Sequence, residues 1–324
     1  MTLLFQKSAL WLSALLLKEG RIPVKQLKLC IFHTEFVYSG GAEKLIFHQI
    51  DYLRRRGWKI SCFAAFVDKK HCFPHIINNY DIRQILPNFL NKIIPHDSII
   101  LLTTLLFPLT IFSFRNYDIF LGENQAGPWW AFMASFFYRK PYFTYQPYPT
   151  TFTFPRKIDR GVRRTSLLVD FLIKSLKPIL ANFDRFVIRQ AKNSFADGEY
   201  AKMVCQKAYK RKFINCPAST TIGQFDEKIF KKRFKGDGKP YILITNRHFP
   251  AKRLDWGIRI FRRLAMENSK SKVNLVITGE ETDYTKKLKE MVARLKLKER
   301  VKFTGLVSEE KLRRLYQNAC VYIY

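Results

Sequence analysis

The stretch from Tyr241 to Phe261, YILITNRHFPAKRLDWGIRIF, decides how the chain is read. YILIT is too short for a helix and suits a strand buried on both faces. It empties into a loop carrying Arg247, His248, Lys252 and Arg253, and then into LDWGIRIF, whose apolar residues recur at helical spacing. Strand, loop and helix in that order open a parallel α/β unit, and in such folds ligands meet the carboxyl ends of the strands. Cations gathered there suit an anion. Arg247 offers a planar fork and Lys252 a compact charge, a pairing suited to phosphate. The alternative is a solvated basic loop in a very basic protein.

Downstream the alternation continues. KVNLVITG, RVKFTGLV and CVYIY read as strands, and DYTKKLKEMVARLKL and SEEKLRRLYQNA as helices. Ser308 is placed to cap the last helix, with Glu309 and Glu310 in its first turn and Leu312, Leu315, Tyr316 and Ala319 on one face. Upstream, KKRFKGDGKP (231–240), charged and containing two glycines and a proline, is the expected linker. Before it, QLKLCIFHTEF and WKISCFAAF read as strands flanking a loop and helix, SGGAEKLIFHQIDYLRRRG, with Leu45, Ile46, Ile50 and Leu53 as its stripe and Gly57 as its stop. YDIFLG and KPYFTYQ add further strands. The expected fold class is α/β, with two doubly wound Rossmann-like domains at 26–230 and 241–324. The second is expected to be incomplete, since its fourth strand has no helix to follow.

Composition bounds the partners. Lys and Arg number 57 against 26 Asp and Glu, a net charge of +31, which favours polyanions such as nucleic acid, anionic lipid or phosphorylated substrates. Aromatic residues concentrate between Phe89 and Phe154, beside basic ones, a mixture suited to a membrane surface or to single-stranded nucleic acid. The chain contains no recognisable nucleic-acid module. Cys30, Cys62, Cys72, Cys205, Cys216 and Cys320 are scattered and read as reduced, structural thiols of a cytosolic protein. His71, Cys72 and His75 match no standard zinc spacing, so no metal is expected. Residues 1–25 read as an amphipathic leader or surface anchor rather than an export signal. Ser98–Phe114 is apolar but short for a span and interrupted by Pro108, so a buried or membrane-dipping segment is expected. Arg156–Asn193 alternates apolar clusters with cations and suits either a membrane-facing or an ordinary surface helix pair.

A second loop also carries chemistry. In YSGGAEK, Gly40 and Gly41 permit close backbone approach, and the helix that follows offers free N–H groups to a phosphate. A tight turn without a ligand is the alternative. Taken together, GGAEKLI, TNRHFPAKRLDWGIRIFRRL, NLVITGEETDYTKKLKEM and RVKFTGLVSEEKLRRLYQNACVYIY resemble the GT-B glycosyltransferases of family 4, retaining enzymes that use nucleotide-sugar donors. More loosely, KPYFTYQPYP and AKNSFADGEY are similar to segments of mannosyltransferases that extend lipid-linked oligosaccharides, although Gln146 stands where many relatives have His.

The resemblance implies a set of roles. Arg247 and Lys252 would hold the donor diphosphate and stabilise leaving-group charge. Gly40 and Gly41 would admit donor phosphates and acceptor. Gly279 would line the donor pocket, and backbone at Gly305 and Leu306 would meet the base. It implies no cofactor beyond the nucleotide-sugar co-substrate, no metal and no protein nucleophile. It also implies a hexose, mannose among the candidates, moved to a lipid-linked or other membrane-associated glycan. The setting would be cytoplasmic, peripheral on the cytosolic face of an anionic membrane. The family's glutamate pair would follow Tyr324, so the expectation is either a truncated product or fragment, or a partner chain that completes the site. An inactive relative serving as a lipid-binding or partner subunit is the alternative reading.

Overall fold

A computed structural model describes residues 27–87, 89–90, 96–151, 153–154, 167–217, 240–267 and 272–323. The expected leader, residues 156–166 of the basic stretch and residues 231–239 of the expected linker lie outside the described residues. The described residues divide into two compact units, a larger one running to Pro217 and a smaller one from Pro240.

In the larger unit seven parallel strands run β1 (Lys28–Phe36), β2 (Lys59–Val67), β3 (Ile82–Gln84), β4 (Ile119–Glu123), β5 (Tyr142–Gln146), β6 (Asn193–Ala196) and β7 (Ile214–Asn215). Their spatial order, β3-β2-β1-β4-β5-β6-β7, reverses direction at β1, as doubly wound sheets do. The crossovers are α1 (Gly41–Arg54), α2 (His96–Thr110), α3 (Gly127–Tyr138), α4 (Leu167–Gln190) and α5 (Gly198–Tyr209). Central β1 is buried on both faces from Leu29 to Phe32, which is why it reads as an unbroken apolar run.

The two faces of this sheet are filled differently. On one, Ile46, Phe47, Ile50 and Leu53 of α1 pack against Leu29, Ile31 and Ile60. The expected stripe is thus right except that Phe47 takes the buried place beside Ile46 while Leu45 sits at the margin. The helix ends at Arg54, and Gly57 (φ +84°) turns the chain into β2. On the other face Phe32, Phe63, Phe107, Phe114, Phe120 and Trp130 form an aromatic core, with the Phe32 and Phe114 rings 5.0 Å apart and nearly perpendicular. Much of the aromatic excess is therefore core. Asp184 of α4, fully buried, accepts from Trp129 Nε1 at 2.7 Å, Thr153 Oγ1 at 3.1 Å and the Tyr209 hydroxyl at 3.2 Å. It ties α3 and α5 to α4, and burial pushes its carboxyl pKa up despite those bonds.

Pro108 does not break its segment where the sequence suggests. The helix α2 continues through it to Thr110 and tightens into a 3-10 turn over Ile111–Phe114. Pro108 lies on the exposed side, where the carbonyl left without an N–H partner can be hydrated. At 15 residues α2 spans about 22 Å, short of a bilayer core of about 30 Å. Among the described residues no helix is long and apolar enough to cross a membrane.

The smaller unit has four parallel strands, β8 (Tyr241–Thr245), β9 (Asn274–Thr278), β10 (Val301–Gly305) and β11 (Val321–Ile323), in the order β10-β9-β8-β11. Helices α6 (Leu254–Glu267), α7 (Asp283–Arg294) and α8 (Glu309–Asn318) connect them. Ile242 and Ile244 of β8 pack with Leu254, Ile258 and Phe261 of α6, and Gly257 leaves room for Ile244 Cδ1, which would lie 2.4 Å from a Cβ there. The Ser308 hydroxyl accepts from the Lys311 N–H, the cap expected from sequence. Leu312, Leu315 and Tyr316 are half-buried, whereas Ala319 falls at the helix end rather than on its face.

Candidate functional site

In the smaller unit the loop after β8 is held by backbone. The Asn246 N–H donates to Thr278 O at 3.0 Å and the His248 N–H to Glu280 O at 2.9 Å. The Thr282 hydroxyl donates to His248 O while also capping α7, its partner in that cap being Thr285. Thr285 Oγ1 in turn lies 2.9 Å from His248 Nδ1. His248 is 0% exposed, its ring set edge-on to Phe303 at 5.7 Å, and burial pushes its pKa down. The sequence reading grouped His248 with the cations. The structure instead makes it a neutral anchor that staples the loop to α7, because desolvation disfavours its charged form.

The remaining cations divide. Arg253 adopts a left-handed backbone (φ 53°), pairs with Asp255 at 3.4 Å and lies 4.5 Å above the Trp256 ring, so it closes the turn rather than facing a ligand. Arg247 is partly exposed, with Nε 3.1 Å from Glu280 Oε2. Lys252 is exposed at the end of the 3-10 turn Pro250–Lys252. At 279 (φ +143°) a Cβ would stand 2.0 Å from the Asn246 carbonyl oxygen, so only glycine lets the β9 turn cross the Arg247 loop this closely. The Gly279 N–H donates to Gly305 O at 3.0 Å, beyond which Leu306 is largely exposed. Arg247, Lys252, Gly279, Gly305 and Leu306 thus share the carboxyl edge of β8, β9 and β10.

The larger unit presents a different edge. Gly40 caps α1, and a Cβ there would meet the Glu43 carboxyl at 2.3 Å, whereas Gly41 faces open space. Glu43 is buried in the first turn, beside the positive end of the helix. Its Oε1 lies 3.7 Å from His33 Nε2, and His33 Nδ1 accepts from Asn124 Nδ2 at 3.0 Å. Gln146 is buried and donates through Nε2 to Asn124 O at 2.8 Å. Glu123 is buried, and desolvation, opposed by a hydrogen bond from Gln49, raises its pKa to about 8. Four buried atoms here, His33 Nε2, Glu43 Oε2, Glu123 Oε1 and Gln146 Oε1, have no hydrogen-bond partner among the described residues. A carboxyl titrating near neutrality among open donors and acceptors can exchange protons with a hydroxyl.

The sequence reading passed over His33, Glu43 and Glu123. The available signal is a polar residue near the end of each apolar strand run: CIFH, IFLGE and YFTYQ. Elsewhere in this unit His71 is exposed and bonded to Asp68 at 2.7 Å while Cys72 is in the core, so the two side chains do not converge.

Residues 225–324 match the sequence family described as Glycosyl transferases group 1. No curated protein matches the chain. Among solved structures, sucrose-phosphate synthase of Thermosynechococcus elongatus is similar at 13% identity with a TM-score of 0.65, over 92% of this chain and 74% of that one. Anabaena Alr3699/HepE, crystallised with UDP-glucose, is similar at 14% identity and a TM-score of 0.61, over 91% and 73%. WaaG, a glycosyltransferase of lipopolysaccharide biosynthesis, is similar at 12% identity and 0.56, over 91% and 74%. The fold is therefore that of the GT-B glycosyltransferases, α/β with parallel sheets. The match to the group 1 glycosyltransferases falls on the smaller unit.

Proposed function

We propose that the protein is a nucleotide-sugar-dependent glycosyltransferase. The observation that carries this reading is the Arg247–Lys252 loop, fixed by buried His248 and Gly279 at a strand edge within the matched domain. Departure of a nucleoside diphosphate builds negative charge, and cations already held in place stabilise it without reorganisation. Arg247 and Lys252 take the diphosphate, Gly279 the near wall of the donor pocket, and the backbone at Gly305 and Leu306 the base. Gly40 and Gly41 give the acceptor access to the backbone, and the adjoining acids suit its hydroxyl groups. Side-chain cations supply the charge a metal would otherwise supply, and the acceptor attacks from the face the leaving group vacates, with retention.

A hexosyl donor is the first class to test, mannose among its members, and HepE's UDP-glucose makes uridine diphosphate sugars the natural starting point. The acceptor is a lipid-linked or other membrane-borne glycan met at the cytosolic face, in keeping with the lipopolysaccharide enzymes among its structural neighbours. Calorimetric titration with UDP and UDP-hexoses is expected to show saturable binding that weakens about 100-fold or more in Arg247→Ala/Lys252→Ala, since two charge-assisted bonds are lost. A folded protein that binds no nucleoside diphosphate would sink the donor assignment in favour of a non-catalytic subunit.

A further inference from the structure

Helix α2 is apolar on both sides. Its inner face, with Ile99 and Phe107, joins the core. Its outer face carries Leu101, Leu105 and Leu109 at successive fourth positions, with Phe112 one turn further; the last three are 67%, 77% and 72% exposed. A helix apolar all round belongs in a protein core or against a lipid surface.

The outer stripe does not stand alone. The Phe112 ring meets Phe137 at the end of α3, 5.9 Å away, and neighbouring Phe136 is 79% exposed. Phe136 touches Phe132 at 6.2 Å, and Phe132 meets Phe186 of α4 at 5.5 Å. On α4, Ile179, Phe183 and Phe186 repeat the outward apolar spacing. Three helices therefore share one continuous exposed apolar face, of the kind that marks an interaction site.

Charge identifies the occupant. Over His96–Arg115, Gly127–Lys140 and Leu167–Lys192 the sequence contains eight Lys and Arg against three acids, Asp97, Asp170 and the buried Asp184. Arg115 and Arg139, at the ends of the α2 and α3 stripes, and Lys177, beside Leu176, are exposed. A second copy of the chain would bring these cations against themselves in a symmetric contact, on molecules each carrying +31. An anionic bilayer accepts both the apolar side chains and the cations.

We infer that the outer face of α2, α3 and α4 is an interfacial docking surface for an anionic membrane. The inference deepens the membrane-borne acceptor proposed above and rests on that reading for its purpose. Its geometry is independent of the donor site. The face takes in Leu176 to Phe186 of the Arg156–Asn193 stretch, which the sequence left between a membrane-facing and an ordinary surface role, and adds α2 and α3 to it.

The test uses the full chain and vesicles of equal parts phosphatidylcholine and phosphatidylglycerol, with phosphatidylcholine alone as the control. Sedimentation should show salt-sensitive binding to the anionic vesicles. Leu105→Gln/Leu109→Gln/Phe112→Gln should lower the partition coefficient at least about tenfold with thermal melting and UDP titration unchanged. Arg115→Gln, Arg139→Gln and Lys177→Gln should each lower it up to about fivefold. Equal binding by the triple variant, or no vesicle binding by the wild type, overturns the surface. A wild-type dimer that the triple variant converts to monomer, without vesicle binding, also overturns it and assigns the face to self-association. Because UDP binding is read separately, loss of either inference leaves the other standing.

Discussion

Two sheet edges of one topology carry opposite chemistry. Along β1, β4 and β5 of the larger unit the carboxyl ends hold buried, partly unpaired acids and a histidine, His33, Glu43 and Glu123. Along β8 to β10 of the smaller unit they hold accessible cations, Arg247 and Lys252, steadied from below by a neutral buried histidine. The first edge suits hydroxyl groups and proton exchange, the second a diphosphate. What differs is burial. In the larger unit the polar groups are under the surface and their protonation is tuned by desolvation, while in the smaller unit the only buried titratable group of the loop, His248, serves as an anchor.

The comparison predicts opposite pH dependences. Glu123 has a folded pKa of about 8 against an ordinary 4.5, so the folded larger unit holds its proton more tightly than the unfolded chain. Stability of that unit should fall as pH rises from 4.5 towards 8, by about 5 kcal/mol at most. Glu123→Gln should remove most of that slope and raise stability at pH 8, as read by amide hydrogen exchange over β1 and β4. An unchanged slope would show that Glu123 is ionised and hydrated, and the contrast between the edges would collapse.

His248 works the other way. Its pKa is lowered by burial, so its contribution is complete above the unfolded value of 6.5 and is lost as pH falls through it. Replacement by Ala removes the Thr285 contact and opens a cavity, for a loss of about 2–3 kcal/mol in the smaller unit at pH 8. The acid sensitivity of β8 and β9 exchange should shrink with it. Full acid sensitivity in His248→Ala would place its source elsewhere.

The smallest expected effect concerns Arg247 itself. Its ion pair with Glu280 is more than a third exposed on both sides, so it is weak and screened. Glu280→Gln should release the guanidinium and tighten UDP binding about two- to fivefold. Weaker binding would mean that Glu280 orients Arg247 rather than competing for it.

Much of the fold was legible because parallel strands buried on both faces leave unbroken apolar runs, as in KLCIFHTEF, YILIT and NLVIT. The strands β3, β6 and β7 were not read, since two to four residues carry no periodicity. Arg247 and Lys252 could be picked out because the loop is contiguous in sequence. His33, Glu43 and Glu123 could not, because 90 positions separate the first from the last and only the crossovers bring them together, and Gln146 stood out only through the family resemblance. Composition also cannot tell an exposed cation from a buried neutral ring, which is why His248 was grouped with its neighbours.

The order β10-β9-β8-β11 has a kinetic consequence. The strand that bears the Arg247 loop occupies an inner place, and its second neighbour, β11, pairs Val321 with Ile242 across most of the unit's length. Such distant pairing closes a long loop and is slow to form. On that ground β9 should pair first with β10 and β8, across 26 and 33 positions (Leu275–Val301 and Ile242–Leu275), and β11 should join late. The Tyr316–Thr245 and Tyr241–Leu315 hydrogen bonds that brace β8 from its far side would then form last. A refolding chain would gain its native α/β signature before it braced the strand that carries the proposed diphosphate loop.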